Sequence, residues 1–150
     1  MTRSLPLLFA CSGCSYAGRT AYELAQELDR RGIVEMSCLA GIGAGKTHFL
    51  NQLRDREVWI IDGCPIECSL GVFQKIRKRV DVHIRLHELG VRKKARTPQS
   101  FDMDHLVRKT LDYAATQRQI THLFDQAHGR PLRPASNVPQ KSSTDRKDKQ

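Results

Sequence analysis

The stretch that decides the fold is VWIIDGCPIEC, residues 58–68 of a chain of 150 residues. Its first four residues are apolar, as is typical of a parallel strand covered on both faces. Pro65 follows closely and suits the first turn of a helix. The stretch therefore predicts a strand over 58–61 and then a helix. Cys64 is expected at or near the N-cap, with Cys68 one turn further along on the same side.

The same change from strand to helix recurs along the chain. Apolar or alternating runs predict strands over 5–10, 34–38 and 82–86, the last of them near a sheet edge. Helical spacing predicts helices over 15–31 and 103–127, and a short, weak helix with Phe49, Leu50 and Leu53 on its inner face. The helix after Pro65 is expected to bury Ile66, Leu70, Phe73 and Val80. Strands that alternate with helices predict an α/β fold, a small doubly wound and mostly parallel sheet of about four strands with flanking helices.

Length and composition predict one domain over residues 1–128 and a disordered basic tail over 129–150. The tail has three prolines and almost no apolar residues. The net charge of +9 is concentrated in two places. Residues 75–96 hold nine Lys/Arg against two Asp/Glu, and residues 129–150 hold six against two.

Five cysteines are too few for a disulfide scaffold, and an odd number would leave one unpaired. Reduced thiols in a cytoplasmic protein are therefore expected. The apolar run at residues 5–10 is shorter than the core of an export signal, which favours a buried strand. No run approaches the length of a membrane span, so no membrane association is predicted.

The predicted topology brings the cysteines together. In a parallel α/β sheet, ligands bind beyond the carboxyl ends of the strands, and the loops at those ends contain Cys11, Cys14, Cys38, Cys64 and Cys68. Helix N-termini favour thiolate, and thiolates are ligands for zinc. An iron–sulfur cluster uses the same ligand type. Asp62 either supports the metal ligands or caps the helix that follows it.

Several motifs, in order, resemble the DGC-domain family, whose members are described as zinc-binding proteins: CSGCS, ELDRRG, MSCLAGIGA, IDGCP-x-x-C and LHELGVRK. The family takes its name from the Asp-Gly-Cys present here at residues 62–64. The resemblance covers about residues 5–95 and implies a zinc site made of cysteines. By position, Cys11, Cys38, Cys64 and Cys68 match the family's four thiols. The chain has a fifth cysteine, Cys14, so which four bind the metal stays open.

Two other functions compete with zinc binding. AGIGAGKT, residues 40–47, satisfies a relaxed phosphate-loop pattern, but Ala40 replaces the first glycine and only about fifteen residues separate Lys46 from Asp62. The order strand, Cys11-x-x-Cys14, helix is also that of a thiol oxidoreductase, in which the helix N-terminus would lower the pKa of Cys11. The main prediction is a zinc-binding accessory protein, and the alternative is a small thiol- or zinc-dependent enzyme.

The basic stretch at residues 75–96 raises the question of nucleic-acid partners. It contains no interleaved aromatic residue that could stack on bases, so no specific nucleic-acid binding is predicted. A protein partner is left open. His83 and His87 alternate with apolar residues and are expected to face solvent, and His48 is expected on a helix surface.

Overall fold

Four short segments form one sheet among residues 4–11, 13–94 and 102–129, which are the residues described by this computed structural model. They are β1 (Leu7–Ala10), β2 (Glu35–Met36), β3 (Val58–Asp62) and β4 (Val82–Arg85). Their spatial order is β2-β1-β3-β4, and each of the three pairings is parallel. The predicted parallel sheet of four strands is thus confirmed, with β4 at an edge.

Helices cover both faces of the sheet. They are α1 (Tyr16–Arg30), α2 (Leu39–Gly43), α3 (Thr47–Gln52), α4 (Cys68–Lys75) and α5 (Met103–Ala127). Because strand side chains alternate between faces, Leu8 and Ala10 pack with α1 and α5, whereas Leu7 and Phe9 pack with the other three helices. The chain is therefore doubly wound, as predicted.

The direction in which the sheet is extended reverses between β1 and β3. From β1 the chain passes through α1 to β2 on one side, and from β3 it passes through α4 to β4 on the other side. The helices that follow these two central strands lie on opposite faces. Such a switch point leaves a crevice at the carboxyl ends of the two strands, which is the usual ligand position in this class of fold. Cys11 is the first residue after β1, and Cys64 follows β3 after Gly63.

The start of α4 differs from the prediction. Residues 64–67 form a tight turn closed by a hydrogen bond from the Glu67 amide to the Cys64 carbonyl, and the helix begins only at Cys68. Pro65 occupies the second position of this turn, where proline is also favoured. Cys64 and Cys68 are therefore not one turn apart on a helix. Ile66, expected on the inner face, is 64% exposed.

Most other elements match the prediction more closely, but no helix was predicted over residues 39–43, where the structure has α2. Helix α4 ends at Lys75, so Val80 lies beyond it, although it packs against the same apolar cluster. The predicted strand over 34–38 is reduced to two residues, and the Met36 amide on its outer edge donates a hydrogen bond to Asp29 Oδ1 over 3.0 Å. The disordered tail was predicted over residues 129–150. All of these except Gly129 lie outside the described residues.

No helix in the described residues is both long enough and apolar enough to cross a membrane.

Candidate metal centre

The first component of the site is Cys11, the residue that follows β1. Its amide donates to the Ile61 carbonyl of β3 over 2.9 Å, which continues the parallel ladder past the end of β1. The residue is 8% exposed. Because the ladder pairs Ala10 with Ile61, Cys11 lies level with Asp62, at the start of the segment that carries Cys64. The β1–β3 pairing thus places two cysteine loops side by side.

Glycines allow these two loops to pack backbone against backbone. A Cβ on Gly63 would lie only 2.3 Å from the Ala17 carbonyl oxygen in the first turn of α1. A Cβ on Gly18 would lie 3.0 Å from the backbone nitrogen of Gly13, in the loop after Cys11. Both distances are shorter than the usual contact between a Cβ and a backbone atom. The loop after β3, the start of α1 and the loop after β1 therefore form one closely packed unit around Cys11 and Cys64.

The electrostatics of this unit oppose ionisation of Cys11. Burial raises the pKa of the Cys11 thiol, a hydrogen bond from the Gly13 amide lowers it, and the nearby negative charges of Asp62, Cys68 and Cys64 raise it further. The net shift is upward. The prediction that this pKa would be lowered is therefore wrong, and burial is the largest cause of the upward shift. At the start of α1, the Gly18 amide donates to the hydroxyl of Ser15, the N-cap of the helix.

Asp62 caps α4. Its Oδ1 accepts a hydrogen bond from the Ser69 amide over 2.8 Å, and its Oδ2 accepts one from the Leu70 amide over 3.2 Å. The same Oδ2 accepts a third bond, over 2.9 Å, from His83 Nε2. Burial by itself would raise the pKa of this carboxyl, which is 1% exposed, but the bonds from His83, Ser69 and Leu70 outweigh burial and lower the pKa. Of the two roles predicted for Asp62, the structure shows the capping role.

Cys14, Cys38 and Cys68 are exposed. Cys14 precedes Ser15, the N-cap of α1. Cys38 is itself the N-cap of α2, and its sulfur accepts a hydrogen bond from the Gly41 amide over 3.3 Å. It also lines a cavity of about 440 Å³ between β2 and α3, together with Met36, Phe49 and others.

The five thiols are all free, and the structure does not gather them around one point. Within residues 4–11, 13–94 and 102–129, no three side chains of the His, Cys, Asp or Glu type are close enough to hold a metal ion. What the fold does provide is the grouping of Cys11, Cys64, Cys68 and Asp62 within electrostatic range of one another. The predicted ligand set remains a prediction.

The AGIGAGKT segment does not have the form of a phosphate loop. Residues 39–43 are helical, and the amides from Gly41 to Lys46 that would cradle a phosphate are engaged locally. Gly41 donates to Cys38 Sγ, Ile42 to the Cys38 carbonyl, and Lys46 to the Gly41 carbonyl. A phosphate loop needs such amides free to point at the ligand. The geometry therefore argues against nucleotide binding at this segment.

Three residues of the site were not found from the sequence. His83, expected to face solvent, is 6% exposed and bonds Asp62. Arg85 and Glu67 form an ion pair of 2.6 Å beside the same loop. For His83 and Arg85, the available signal was the alternating pattern VHIRLH. Alternation shows that their side chains share one face of the strand, but it does not show whether that face meets water or a carboxylate. His48 lies exposed on α3, as predicted, and His87 is half-buried.

Sequence comparison identifies the family of the chain. The DGC domain profile matches residues 7–111, more than two thirds of the chain. The protein therefore belongs to the DGC domain family, and the resemblance seen in the sequence is confirmed.

The chain is 38% identical over 91 residues to the anaerobic and virulence modulator AnvM of Pseudomonas aeruginosa, an alignment that covers 60% of this chain and 70% of AnvM. No solved structure matches the chain.

Proposed function

We propose that the protein binds one zinc ion through the thiolates of Cys11, Cys38, Cys64 and Cys68 and acts as a metal-binding accessory protein. The observation that supports this most directly is the parallel pairing of β1 with β3, which brings Cys11 beside the Asp62–Cys68 segment. The site lies at the switch point of the sheet, where ligands of this class of fold bind.

The donor set suits zinc. Sulfur ligands are soft, and four thiolates form the usual tetrahedral site, with Zn–S distances of about 2.3 Å. Without a metal, burial and then the neighbouring negative charges oppose ionisation of Cys11. A bound cation would remove that opposition, because it stabilises the thiolates that otherwise repel one another. Metal binding would then draw the sulfurs together, and the exposed Cys38 would exchange its hydrogen bond from the Gly41 amide for the metal.

The accessory role is supported by the relative and by the architecture. AnvM is named a modulator. In this chain, the buried polar groups beside the cysteines are engaged in fixing the backbone, as in the contacts of Asp62 with α4. A carboxylate that is engaged in this way is not available for acid–base chemistry, which favours a binding role over a catalytic one.

Zinc analysis of single variants tests the proposal. We expect one zinc per chain in the purified protein, lost in Cys64→Ser and retained in Cys14→Ser, the matched control. Cys11→Ser and Cys68→Ser should also lose the metal. Elemental analysis for zinc and iron, with an absorption spectrum, gives the measurement. A chain that carries no zinc after purification and shows no saturable zinc binding would refute the proposal, and a coloured protein that contains iron would replace zinc by an iron–sulfur cluster.

A second candidate is thiol chemistry on a small molecule, which the cavity beside Cys38 favours. The two candidates differ in the state of this thiol when zinc is bound. As a zinc ligand, Cys38 is expected to be protected from iodoacetamide in the zinc-loaded protein. As a reactive thiol in a cavity, it should be modified at the same rate with and without zinc. Mass spectrometry of the labelled peptides separates the two.

A further inference from the structure

Side chains of β4 hold both ends of the loop that carries Cys64 and Cys68. At its first end, His83 Nε2 donates to Asp62 Oδ2 over 2.9 Å, two residues before Cys64. At its second end, Arg85 Nε donates to Glu67 Oε1 over 2.6 Å, one residue before Cys68. His83 and Arg85 are two positions apart on a strand, so both point to the same face of the sheet.

The contact at the first end extends into α4. Asp62 receives the His83 bond and, at the same time, the amide bonds of Ser69 and Leu70, the residues that follow Cys68. Both His83 and Asp62 are almost fully buried. A buried hydrogen bond to a charged group is strong and strictly oriented. His83 therefore fixes the carboxylate that in turn fixes the start of the helix carrying Cys68.

The contact at the second end stabilises an unusual backbone conformation. Glu67 has φ of +54°, in the left-handed region, which costs an ordinary residue about 1 kcal/mol. Arg85 is half-buried and binds the Glu67 carboxylate in this conformation. The left-handed residue turns the chain from the 64–67 turn into α4. Its geometry therefore sets how far apart Cys64 and Cys68 lie.

We propose that His83 and Arg85 are positioning residues that fix the separation and orientation of the Cys64 and Cys68 thiols for binding a common ligand. The inference rests on the proposed function where it concerns zinc. Its structural part, the placement of the two thiols, is independent of zinc and can be tested without it.

Arg85→Met, His83→Leu and Glu67→Asn test the inference through zinc affinity. Asparagine accepts the left-handed conformation but is too short to reach Arg85, so Glu67→Asn removes the ion pair while sparing the backbone. The matched control is Arg79→Met. Arg79 lies shortly before β4, at the end of the strand opposite to Arg85, and forms ion pairs with Asp81 and Asp125.

We expect zinc affinity, measured by competition with a chromophoric chelator, to fall about 10- to 100-fold in the three test variants, as is typical when a group supporting metal ligands is removed. Arg79→Met should bind zinc as the unchanged protein does, even though it loses stability. His83→Gln retains an N–H donor and should recover much of the affinity lost in His83→Leu. Equal affinities in Arg85→Met and Arg79→Met would overturn the inference.

Thiol modification of the metal-free protein separates this inference from the zinc proposal. Iodoacetamide labelling, located by mass spectrometry, should proceed faster at the buried Cys64 in the three test variants, with the exposed Cys14 as the internal reference. In Arg79→Met this rate should not change. If the unchanged protein binds no zinc, the zinc proposal fails, but faster labelling in the test variants still supports positioning. Labelling rates that do not change in any test variant contradict positioning, whatever the zinc result.

Discussion

Gly63→Ala is expected to destabilise the protein by about 3 kcal/mol, which is a large part of the stability of a domain of this size. The added Cβ would lie 2.3 Å from the Ala17 carbonyl oxygen, 2.4 Å from its carbon and 2.7 Å from the Gly18 nitrogen. All three are backbone atoms, so no side-chain rotation can relieve the clash. The loop after β3 and the start of α1 must instead move apart. Urea denaturation of the metal-free protein measures the loss.

Gly71→Ala is the matched control. Gly71 lies inside α4, and a Cβ there would meet no atom within 4 Å. Alanine is the better helix former, so this variant should be more stable by about 0.5–1 kcal/mol. The same substitution at two glycines eight positions apart is thus expected to have opposite effects. If the two variants have equal stability, the close packing of Gly63 on α1 is wrong.

Asp62→Asn is expected to destabilise the metal-free protein by about 2–3 kcal/mol, a typical loss for buried hydrogen bonds to a charged group. The carboxylate accepts from Ser69, Leu70 and His83. An amide has one oxygen, and its NH2 group would face at least one of these donors. Unfolding measured by circular dichroism gives the loss. Glu23→Gln, which weakens only an exposed ion pair with Arg19, should change stability by less than about 0.5 kcal/mol.

The pH dependence of stability gives a second test of Asp62. Its pKa is lowered in the folded protein, so the folded state favours the ionised form more than the unfolded state does. The stabilisation is complete above the unfolded pKa of about 3.9 and is lost as the pH falls through the lowered folded value. The unchanged protein should therefore lose stability more steeply below about pH 4 than Asp62→Asn does. Parallel curves in this range would show that Asp62 is not held as a carboxylate.

Much of the fold could be predicted because its signals are local. The apolar run over 58–61 predicts a buried strand, and the helical spacing over 15–31 and 103–127 predicts helices with one buried face. The structure has these elements and buries their apolar side chains. The alternation of strands and helices then predicts the parallel topology. In that topology the cysteines follow the carboxyl ends of β1, β2 and β3. The start of α4 could not be predicted, because proline suits both a helix start and a turn.

The interior of the site was harder to predict because it depends on contacts between distant residues. Glu67 adopts its left-handed conformation beside Arg85, eighteen residues away in the chain. The role of His83 depends on where Asp62 lies in the neighbouring strand. The raised pKa of Cys11 likewise results first from burial and then from charges on another loop. Sequence patterns predict where each residue lies on its own helix or strand. The conformation of Glu67, the role of His83 and the pKa of Cys11 depend instead on contacts between elements.

The register of β1 with β3 has a consequence for biosynthesis. Cys11 leaves the ribosome more than fifty residues before Cys64, and the chain between the two central strands contains α1, β2, α2 and α3. Contacts of such long sequence separation form late in folding. A growing chain that still lacks β3 holds only part of the sulfur set. If the protein binds zinc as proposed, the full set of thiols is available only once β3 has been made, so chains that end before β3 should bind zinc weakly.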